Sequence, residues 1–286
     1  MKLTVYPGCS LEGTAKDYAG SVFGICSCLD IQLEEVPDWN CCGATAAHSI
    51  DHRASIELAA RTLNLAAKLP HPDMLVPCPM CFNRLKTAAW SLQRAAQNRY
   101  GLKLNDAVPK IWDLADFFAT GKMLDRVAAY ATKPLGGLKV VCYYGCMANR
   151  PPEITESTNH ENPQSMDLIV RHLGAEAIQW PYKTDCCGAS QALSRPDIVF
   201  QLVGNLLDMA QRVGALAIVV SCQMCQANLD MYQERIAAER GKRFSLPVYY
   251  FSELIGIACE LKEVKKWLSR HITDPFSLLR DLKLLE

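Results

Sequence analysis

The chain has 286 residues, half of them hydrophobic, and its 30 basic side chains balance its 30 acidic ones. This composition excludes a disordered chain, and the charge balance argues against a polybasic nucleic-acid surface. The longest apolar runs are too short to cross a bilayer, and the first ten residues do not form a signal peptide. We therefore expect a protein without a membrane span that stays in the cytoplasm. Thiols are reduced there, so its fourteen cysteines indicate metal ligands or buried apolar residues before disulfides.

The first half of the chain alternates between predicted strands and helices. In chain order the predicted elements are a strand at 3–9, a helix at about 15–29, a strand and turn at 31–43, a helix at about 46–68, a strand at 74–81 and a helix from Asn83. One or more cysteines stand at the carboxyl end of each predicted strand. The half closes on the segment VPKIWDLADFFA.

The second half repeats this order. Its predicted elements are a strand at 139–146, a helix at 165–173, a strand and turn at 175–188, a helix at 196–213, a strand at 217–225 and a helix from Gln226. It closes on LPVYYFSELIGIA, which is similar to the end of the first half. The junction between the two halves contains Pro134, Gly136 and Gly137, which indicate a turn or linker. We place the domain boundary near residue 135, which gives a cysteine-rich domain at 1–135 and a second at 136–286.

Strands that alternate with helices predict an α/β fold. We expect two tandem domains related by a pseudo-twofold axis, each a small, mostly parallel, Rossmann-like sheet flanked by helices. Ligands of such sheets collect beyond the carboxyl ends of the strands. Cysteines that are 30 to 40 positions apart in the chain are therefore expected to converge at one edge of each sheet.

Ten of the fourteen cysteines form two copies of one pattern, Cys-x31-Cys-Cys-Gly-x34-Cys-x2-Cys and Cys-x39-Cys-Cys-Gly-x33-Cys-x2-Cys. We call them the first quintet (Cys9, Cys41, Cys42, Cys78 and Cys81) and the second quintet (Cys146, Cys186, Cys187, Cys222 and Cys225). Two sets of five thiols predict two metal centres. The other four cysteines, Cys26, Cys28, Cys142 and Cys259, are predicted to be small buried hydrophobes.

The adjacent cysteines decide which kind of centre is expected. Neighbouring side chains of an extended chain point in opposite directions, so one metal ion is a poor partner for both Cys41 and Cys42. A multinuclear iron cluster accepts them on different irons. Gly43 and its counterpart Gly188 then allow a sharp turn and a close approach to inorganic sulfide. Structural zinc and a cubane cluster are the alternatives, but each uses four thiolates and leaves one spare.

These motifs resemble the B subunit of heterodisulfide reductase over essentially the whole chain. The resemblance is carried by YPGC, PDWNCCGA and PCPMCFNRLK in the first half and by YYGC, RPPEITE, NPQSMD, PYKTDCCGAS and CQMCQANLD in the second. It implies two noncubane 4Fe-4S clusters, with all five cysteines of each quintet as ligands. It also implies that electrons reach the clusters from two partners, a ferredoxin-like C subunit and a flavin-containing A subunit, since this chain has no flavin motif of its own.

The resemblance implies a catalytic iron-sulfur protein that reductively cleaves a disulfide or oxidises thiols. The alternative is an electron-relay iron-sulfur subunit of another CCG-domain oxidoreductase, of the lactate, glycolate or succinate type, without a substrate site. Four polar residues near the motifs are candidates for orienting an anionic substrate, with a structural or solvated role favoured for each: His48, Lys183, Asp185 and Arg195. The C-terminal segment, residues 261–286, is expected either to dock a partner or to pack on its own domain.

Overall fold

The chain folds around two parallel sheets. The computed structural model describes residues 1–44, 46–94, 98, 100–105 and 108–286. Within these ranges two four-stranded sheets form, and every strand pairing in them is parallel. Helices flank both sheets, which confirms the predicted α/β class.

The first sheet has the strand order β2-β1-β3-β4. The elements of this half are β1 (Lys2–Val5), α1 (Cys9–Glu12), α2 (Lys16–Cys28), β2 (Gln32–Glu35), α3 (Ala46–Ile50), α4 (His52–Ala66), β3 (Asp73–Val76), α5 (Pro79–Gln93), β4 (Lys110–Asp113), α6 (Leu114–Phe118) and α7 (Gly121–Tyr130). Met74, Leu75 and Val76 of the central strand β3 are fully buried. Such continuous apolar strands are typical of parallel sheets covered on both faces.

The second sheet repeats this topology in the order β6-β5-β7-β8. Its half contains β5 (Lys139–Tyr143), α8 (Pro152–Thr155), α9 (Ser165–His172), β6 (Glu176–Ala177), a 3-10 turn (Ala189–Gln191), α10 (Pro196–Arg212), β7 (Ala217–Val220), α11 (Gln223–Met231), α12 (Gln233–Arg240), β8 (Val248–Tyr250), α13 (Phe251–Ala258), α14 (Val264–Leu268) and α15 (Phe276–Asp281). Strand β1 corresponds to β5 and β3 to β7. The internal repeat is therefore a repeat of topology.

The predicted bounds of three helices were wrong. The helix expected at 46–68 is two helices, because Asp51 caps α4 by accepting hydrogen bonds from the backbone N–H groups of Arg53 and Ala54. The helices expected from Asn83 and Gln226 begin earlier, at Pro79 and Gln223. Proline suits the first turn of a helix, where its missing N–H costs nothing. The second cysteine of each Cys-x2-Cys pair consequently lies within the first helical turn.

Residues on both sides of position 135 share one hydrophobic core. The domain boundary near residue 135 therefore remains a prediction. Tyr18, Val22 and Ile25 of α2 belong to the same buried cluster as Leu254 and Ile255 of α13. The hydroxyls of Ser21 and Ser252 lie 2.6 Å apart in this interface, and Tyr18 stacks on Tyr250. A second buried cluster, from Tyr6 to Ile111, belongs to the first half alone. Of the described helices, none combines the length and apolar character needed to span a membrane.

The C-terminal segment packs on its own chain. Trp267 is 5% exposed and Leu279 is fully buried. The Trp267 indole fills a notch left by three glycines, Gly20 and Gly24 of α2 and Gly256 of α13. The side chain of Trp267 thus packs within the chain, as one alternative expected, but against helices of both halves and not on its own domain alone.

A buried cluster of ionisable side chains, His271, Glu253 and Asp17, connects the C-terminal segment to the rest of the chain. The Nε2 atom of His271 lies 3.0 Å from Glu253 Oε1 and 3.9 Å from Asp17 Oδ2. Burial by itself would lower the pKa of His271, but the facing carboxylates of Glu253, Asp230 and Asp17 together outweigh burial and raise this pKa to about 9. His271 is therefore cationic at neutral pH and ties the C-terminal segment to both halves.

Replacing Gly24 by alanine is expected to destabilise the fold by about 2 kcal/mol. A Cβ atom at this position would lie 2.7 Å from the Trp267 ring, which is buried and has little room to move. Overpacking of this kind costs roughly 1–3 kcal/mol, more than the helix propensity that alanine adds. Denaturant unfolding followed by circular dichroism measures the effect. Gly121→Ala is the control, because nothing lies within 4 Å of a Cβ there; equal midpoints for the two variants would contradict the packing argument.

Candidate metal centres

The first quintet gathers at the carboxyl edge of the first sheet. Cys9 begins α1 just after β1, and the Cys-x2-Cys pair spans the end of β3 and the start of α5. The Sγ atoms of Cys42 and Cys81 lie 3.3 Å apart, and those of Cys9 and Cys41 lie 3.8 Å apart. All fourteen cysteines are free thiols. The first quintet is thus a compact set of reduced sulfur ligands.

The second quintet has the same arrangement on the second sheet. The Sγ atoms of Cys187 and Cys225 lie 3.6 Å apart, which matches the Cys42–Cys81 pair. In both halves the glycine after the double cysteine donates its backbone N–H to the sulfur two residues earlier, at 3.5 Å for Gly43 and 3.3 Å for Gly188. Both glycines have positive φ angles, 74° and 75°. The expected sharp turn after each double cysteine is therefore present.

Two further glycines permit the close approach of backbone to sulfur. Gly8 and Gly145 precede the first cysteine of each quintet and have φ angles of 75° and 65°. A Cβ atom on Gly8 would lie 3.0 Å from Cys81 Sγ, and one on Gly145 would lie 3.2 Å from Cys225 Sγ. Only glycine combines this conformation with this spacing.

In each half a tyrosine near the first cysteine of the quintet forms a hydrogen bond to the backbone just before the double cysteine. The Tyr6 hydroxyl donates a hydrogen bond of 2.8 Å to the carbonyl of Asn40, the residue before Cys41. The Tyr143 hydroxyl donates one of 2.6 Å to the carbonyl of Asp185, the residue before Cys186. These bonds fix the double cysteine relative to the strand that carries the first cysteine.

The second cysteine of each adjacent pair, Cys42 or Cys187, has a lowered pKa, which favours its thiolate form. The neighbouring thiols of Cys41 and then Cys81 lower the pKa of Cys42. The neighbouring thiol of Cys225 lowers the pKa of Cys187. The thiolate is the form of cysteine that binds metals. The pKa of the second cysteine of the adjacent pair is thus lowered in both halves.

The two quintets are neighbours. Gln223 lies between the two cysteines of the last pair of the second quintet, and its Nε2 atom donates a hydrogen bond of 2.8 Å to Cys78 Sγ of the first. In the reverse direction, Asn83 of α5 donates to the carbonyls of Met147 and Arg150, at 3.0 and 2.8 Å, just after Cys146. The relative orientation that the sequence left open therefore brings the two centres into contact through one side chain.

A cavity of about 200 Å³ opens on the second quintet. All five of its cysteines line the cavity, and the first half supplies part of the wall through Ala44, His48, Pro79, Met80 and Arg84. Met147 and Met224 add thioether groups. No cysteine of the first quintet lines it, as far as the described residues show. The two quintets are similar in residue type, but of the two only the second lines this cavity.

The polar residues that the sequence offers as candidates fall into two groups. His48 lines the cavity. The other three do not: Lys183 is buried and paired with Asp167 at 2.8 Å, Arg195 is exposed and paired with Asp197, and Asp185 is exposed. Of the four cysteines outside the quintets, Cys26 and Cys142 are buried as predicted, and burial raises the pKa of both thiols, whereas Cys28 and Cys259 are only partly buried.

Sequence reasoning missed several residues of the site. Tyr6 and Tyr143 stand three positions before the first cysteine of each quintet, so the YPGC and YYGC repeat was a usable signal. Arg84 was missed because helix α5 was predicted to begin too late to bring it one turn beyond Cys81. Gln223 had no signal, since its contact with Cys78 joins positions 145 residues apart.

The family follows from comparison with known proteins. The model of a cysteine-rich domain termed CCG matches twice, at residues 3–86 and 140–230, and each match contains one quintet. The chain belongs to this family.

Related proteins are components of reductases. The chain is 28% identical over 283 residues to the 8-methylmenaquinol:fumarate reductase membrane anchor subunit of Wolinella succinogenes, covering 96% of this chain and 97% of the relative. It is 24% identical over 269 residues to the B subunit of the ferredoxin:CoB-CoM heterodisulfide reductase of Methanosarcina mazei, covering 90% and 89%. This similarity to the heterodisulfide reductase B subunit bears out the resemblance seen in the motifs.

A solved structure supports the fold alone. A hypothetical protein from Helicobacter pylori superposes with a TM-score of 0.71 at 10% identity, over 96% of this chain. This chain spans about half of that structure, 52% of its length.

The donor set of each centre fits an iron-sulfur cluster. Each quintet offers five sulfur atoms, and no carboxylate or imidazole forms part of it. Thiolate sulfur is the ligand of such clusters. The cavity shows that space adjoins all five cysteines of the second quintet.

Proposed function

We propose that the two quintets hold two noncubane 4Fe-4S clusters and that the chain is the catalytic iron-sulfur subunit of a heterodisulfide reductase-like complex. The cavity on the second quintet carries this proposal, because it offers a reacting sulfur compound access to a centre with five thiolates. A cluster bound by the second quintet would supply electrons and an iron atom that can bind the sulfur of the reacting compound. Cys9, Cys41, Cys42, Cys78 and Cys81 hold one cluster, and Cys146, Cys186, Cys187, Cys222 and Cys225 hold the other.

The position of the cavity, which the second quintet alone of the two lines, supports a division of labour between the centres. The first quintet adjoins the second through Gln223 but does not line the cavity. It therefore relays electrons, and the second quintet faces the substrate. Reduction of one disulfide consumes two electrons and two protons and yields two thiols, and the reverse reaction returns them. The electrons come from two partners, a ferredoxin-like C subunit and a flavin-containing A subunit.

Gln223→Leu is expected to lower the reduction potential of the first centre by roughly tens of millivolts. A hydrogen bond to cluster sulfur favours the more negative, reduced state and raises the potential. Leucine keeps the approximate size of the side chain but removes the N–H donor to Cys78. Redox titration followed by EPR measures the shift. Gln226→Leu, on the same helix and bonded to Asp230 instead of sulfur, is the control; an equal shift in both variants would contradict a role for the Gln223–Cys78 bond.

A second candidate is an electron-relay protein without a substrate site. The similarity to the methylmenaquinol:fumarate reductase component favours it, because that match covers nearly all of both chains. In this candidate both clusters carry electrons between partner proteins, and the cavity binds no thiol.

Iron and sulfide analysis combined with EPR distinguishes these functions. Anaerobically purified protein is expected to contain about eight irons per chain, four for each quintet. Addition of a thiol to the oxidised protein is expected to change the EPR spectrum of the second centre. Four irons or fewer would contradict two clusters. Eight irons with a spectrum that no thiol changes would favour the relay.

A further inference from the structure

Two thiols outside the quintets lie at matching ends of the contact between α2 and α13. Cys28 is the last residue of α2, and Cys259 directly follows the last residue of α13, so each half of the chain supplies one thiol. Both are half-buried free thiols, whereas Cys26 and Cys142 are fully buried. A small oxidant can therefore reach Cys28 and Cys259 without unfolding of the core.

Small residues bring α2 and α13 together in parallel. The hydroxyls of Ser21 and Ser252 lie 2.6 Å apart. One turn further along both helices, Gly24 and Gly256 face the same Trp267 ring, from which an added Cβ atom would lie 2.7 and 2.6 Å away. The contacts advance in the same direction along both helices. Helices this close have a separation comparable to the span of a disulfide, whose Cα atoms lie roughly 4.4–6.8 Å apart.

The register of the serines carries over to the cysteines. Ser21 and Ser252 are 231 positions apart, and Cys28 and Cys259 are separated by the same 231 positions. Each cysteine stands seven residues after its serine, which is about two helical turns and returns to nearly the same face of the helix. The backbone N–H of Cys259 still donates to the carbonyl of Ile255 at 2.9 Å, so the last turn of α13 is intact. The two helices therefore present Cys28 to Cys259 as they present Ser21 to Ser252.

The acidity of Cys259 agrees with this contact. Burial raises the pKa of Cys259 to about 12, and the charge and the hydrogen bond of the Cys28 thiol add to the rise. A thiol with a raised pKa is a slow nucleophile and a poor metal ligand, because the thiolate is the reactive form. Once one of the two sulfurs is oxidised, however, the other already lies beside it, and the second step is intramolecular. The pair therefore favours reaction with each other over reaction with separate molecules.

We propose that Cys28 and Cys259 form a reversible disulfide that locks α2 to α13, and with them the two halves of the chain. The oxidant is a small-molecule disulfide such as oxidised glutathione. One cysteine thiolate attacks it and releases one glutathione, and the other cysteine then displaces the second glutathione from the mixed disulfide. The two cysteines lose two electrons and two protons, and two glutathione thiols form.

The lock acts on the interface that orients the two quintets. The packing of α2 against α13 holds the halves in the arrangement in which Gln223 reaches Cys78. A disulfide between residues 231 positions apart restricts the unfolded chain and so stabilises the folded one. The competing interpretation is that both thiols only fill space between the helices, as small hydrophobes do. In that case an oxidant leaves them unpaired.

The test treats anaerobic holoprotein with oxidised glutathione and compares it with the same protein kept in dithiothreitol. Free thiols are then alkylated, and cross-linked peptides are identified by mass spectrometry. We expect a Cys28–Cys259 cross-link in most chains, faster migration on a non-reducing gel and an unfolding midpoint about 5 °C or more above that of the reduced form. Cys28→Ser and Cys259→Ser should lose all three effects. Cys26→Ala, at a buried thiol two residues before Cys28, is the control that keeps the difference between oxidised and reduced forms.

The wild-type chain alone decides whether the cross-link exists, so the result does not depend on how well the serine variants fold. A wild-type chain without the cross-link would overturn the proposal, and so would a mixed disulfide with glutathione that never resolves. A cross-link that persists in Cys28→Ser would assign the reaction to another pair and overturn it as well. If the cross-link forms but leaves the unfolding midpoint unchanged, the disulfide does not lock the halves. Disulfides among the quintet cysteines are recognised by their own peptides and do not count as support.

Discussion

Cys187→Ala is expected to remove the second cluster, to halve the iron content and to abolish any thiol-dependent EPR change. The side chain is buried, lies 3.6 Å from Cys225 and is favoured as a thiolate by that neighbour. Its replacement leaves four of the five sulfurs, at the quintet that lines the cavity. Because Gln223 links the centres without being part of the first quintet, the first cluster is expected to remain.

Iron analysis and EPR of the purified variant check this result. Cys142→Ala is the matched control, since Cys142 is a fully buried thiol on β5 outside both quintets. It should keep about eight irons and the response to thiol, although the small cavity it leaves costs some stability. Unchanged iron content and an unchanged thiol response in Cys187→Ala would refute the two-cluster assignment.

Gly8→Ala is expected to remove or severely alter the first cluster, although it replaces no ligand. Gly8 has φ 75° and ψ 160°, a conformation that is essentially restricted to glycine and costs other residues roughly 1–3 kcal/mol. The added Cβ atom would also lie 3.0 Å from Cys81 Sγ. Backbone strain therefore acts next to Cys9, and the close contact acts on Cys81, so both changes fall on the first quintet. Iron content should fall by about half, and the EPR signal of the second centre should persist.

Gly214→Ala separates backbone strain from the contact with sulfur. Gly214 has φ 78°, but nothing lies within 4 Å of a Cβ there. This variant should lose some stability and keep both clusters. If it loses as much iron as Gly8→Ala, general destabilisation explains the result and the close approach to sulfur does not.

The two ligand-site variants also test the division of labour. With the second cluster intact, Gly8→Ala should still respond to thiol, but electrons from an external donor should reach the second centre more slowly. Cys187→Ala should show the opposite, a reducible first centre without a thiol response. A thiol response that vanishes in both variants would mean that the two centres act on the substrate together.

The convergence of each quintet could be predicted because it depends on topology. Parallel strands joined by helices bring their carboxyl ends to one edge, and Cys9, Cys41 and Cys78 each follow a strand of the first sheet. The turn at Gly43 was also predictable, since two adjacent cysteines needed a sharp change of direction. The start of α5 was misplaced by one turn because Pro79 was taken as part of a strand, although proline is favoured at the first helical position.

Contacts between the halves could not be predicted. Gln223 and Cys78 are brought together by the packing of α2 against α13, an interface that includes the Tyr18–Tyr250 stack. Nothing in the spacing of the repeats specifies how two similar halves are oriented. The same packing places Arg84 of the first half in the wall of the cavity at the second quintet.

The sequence by itself determined two parallel α/β halves, two sets of five thiols and the family, because strand order, helix spacing and ligand type are local properties that repeat along the chain. Only the tertiary structure decided that the second quintet has the cavity, that Gln223 joins the two centres and that Arg84 of the first half lines that cavity. These features depend on which side chains of one half fill the surface of the other. That choice is made by the burial of α2 and α13 in a shared core, and of the two quintets of the repeat only the second lines the cavity.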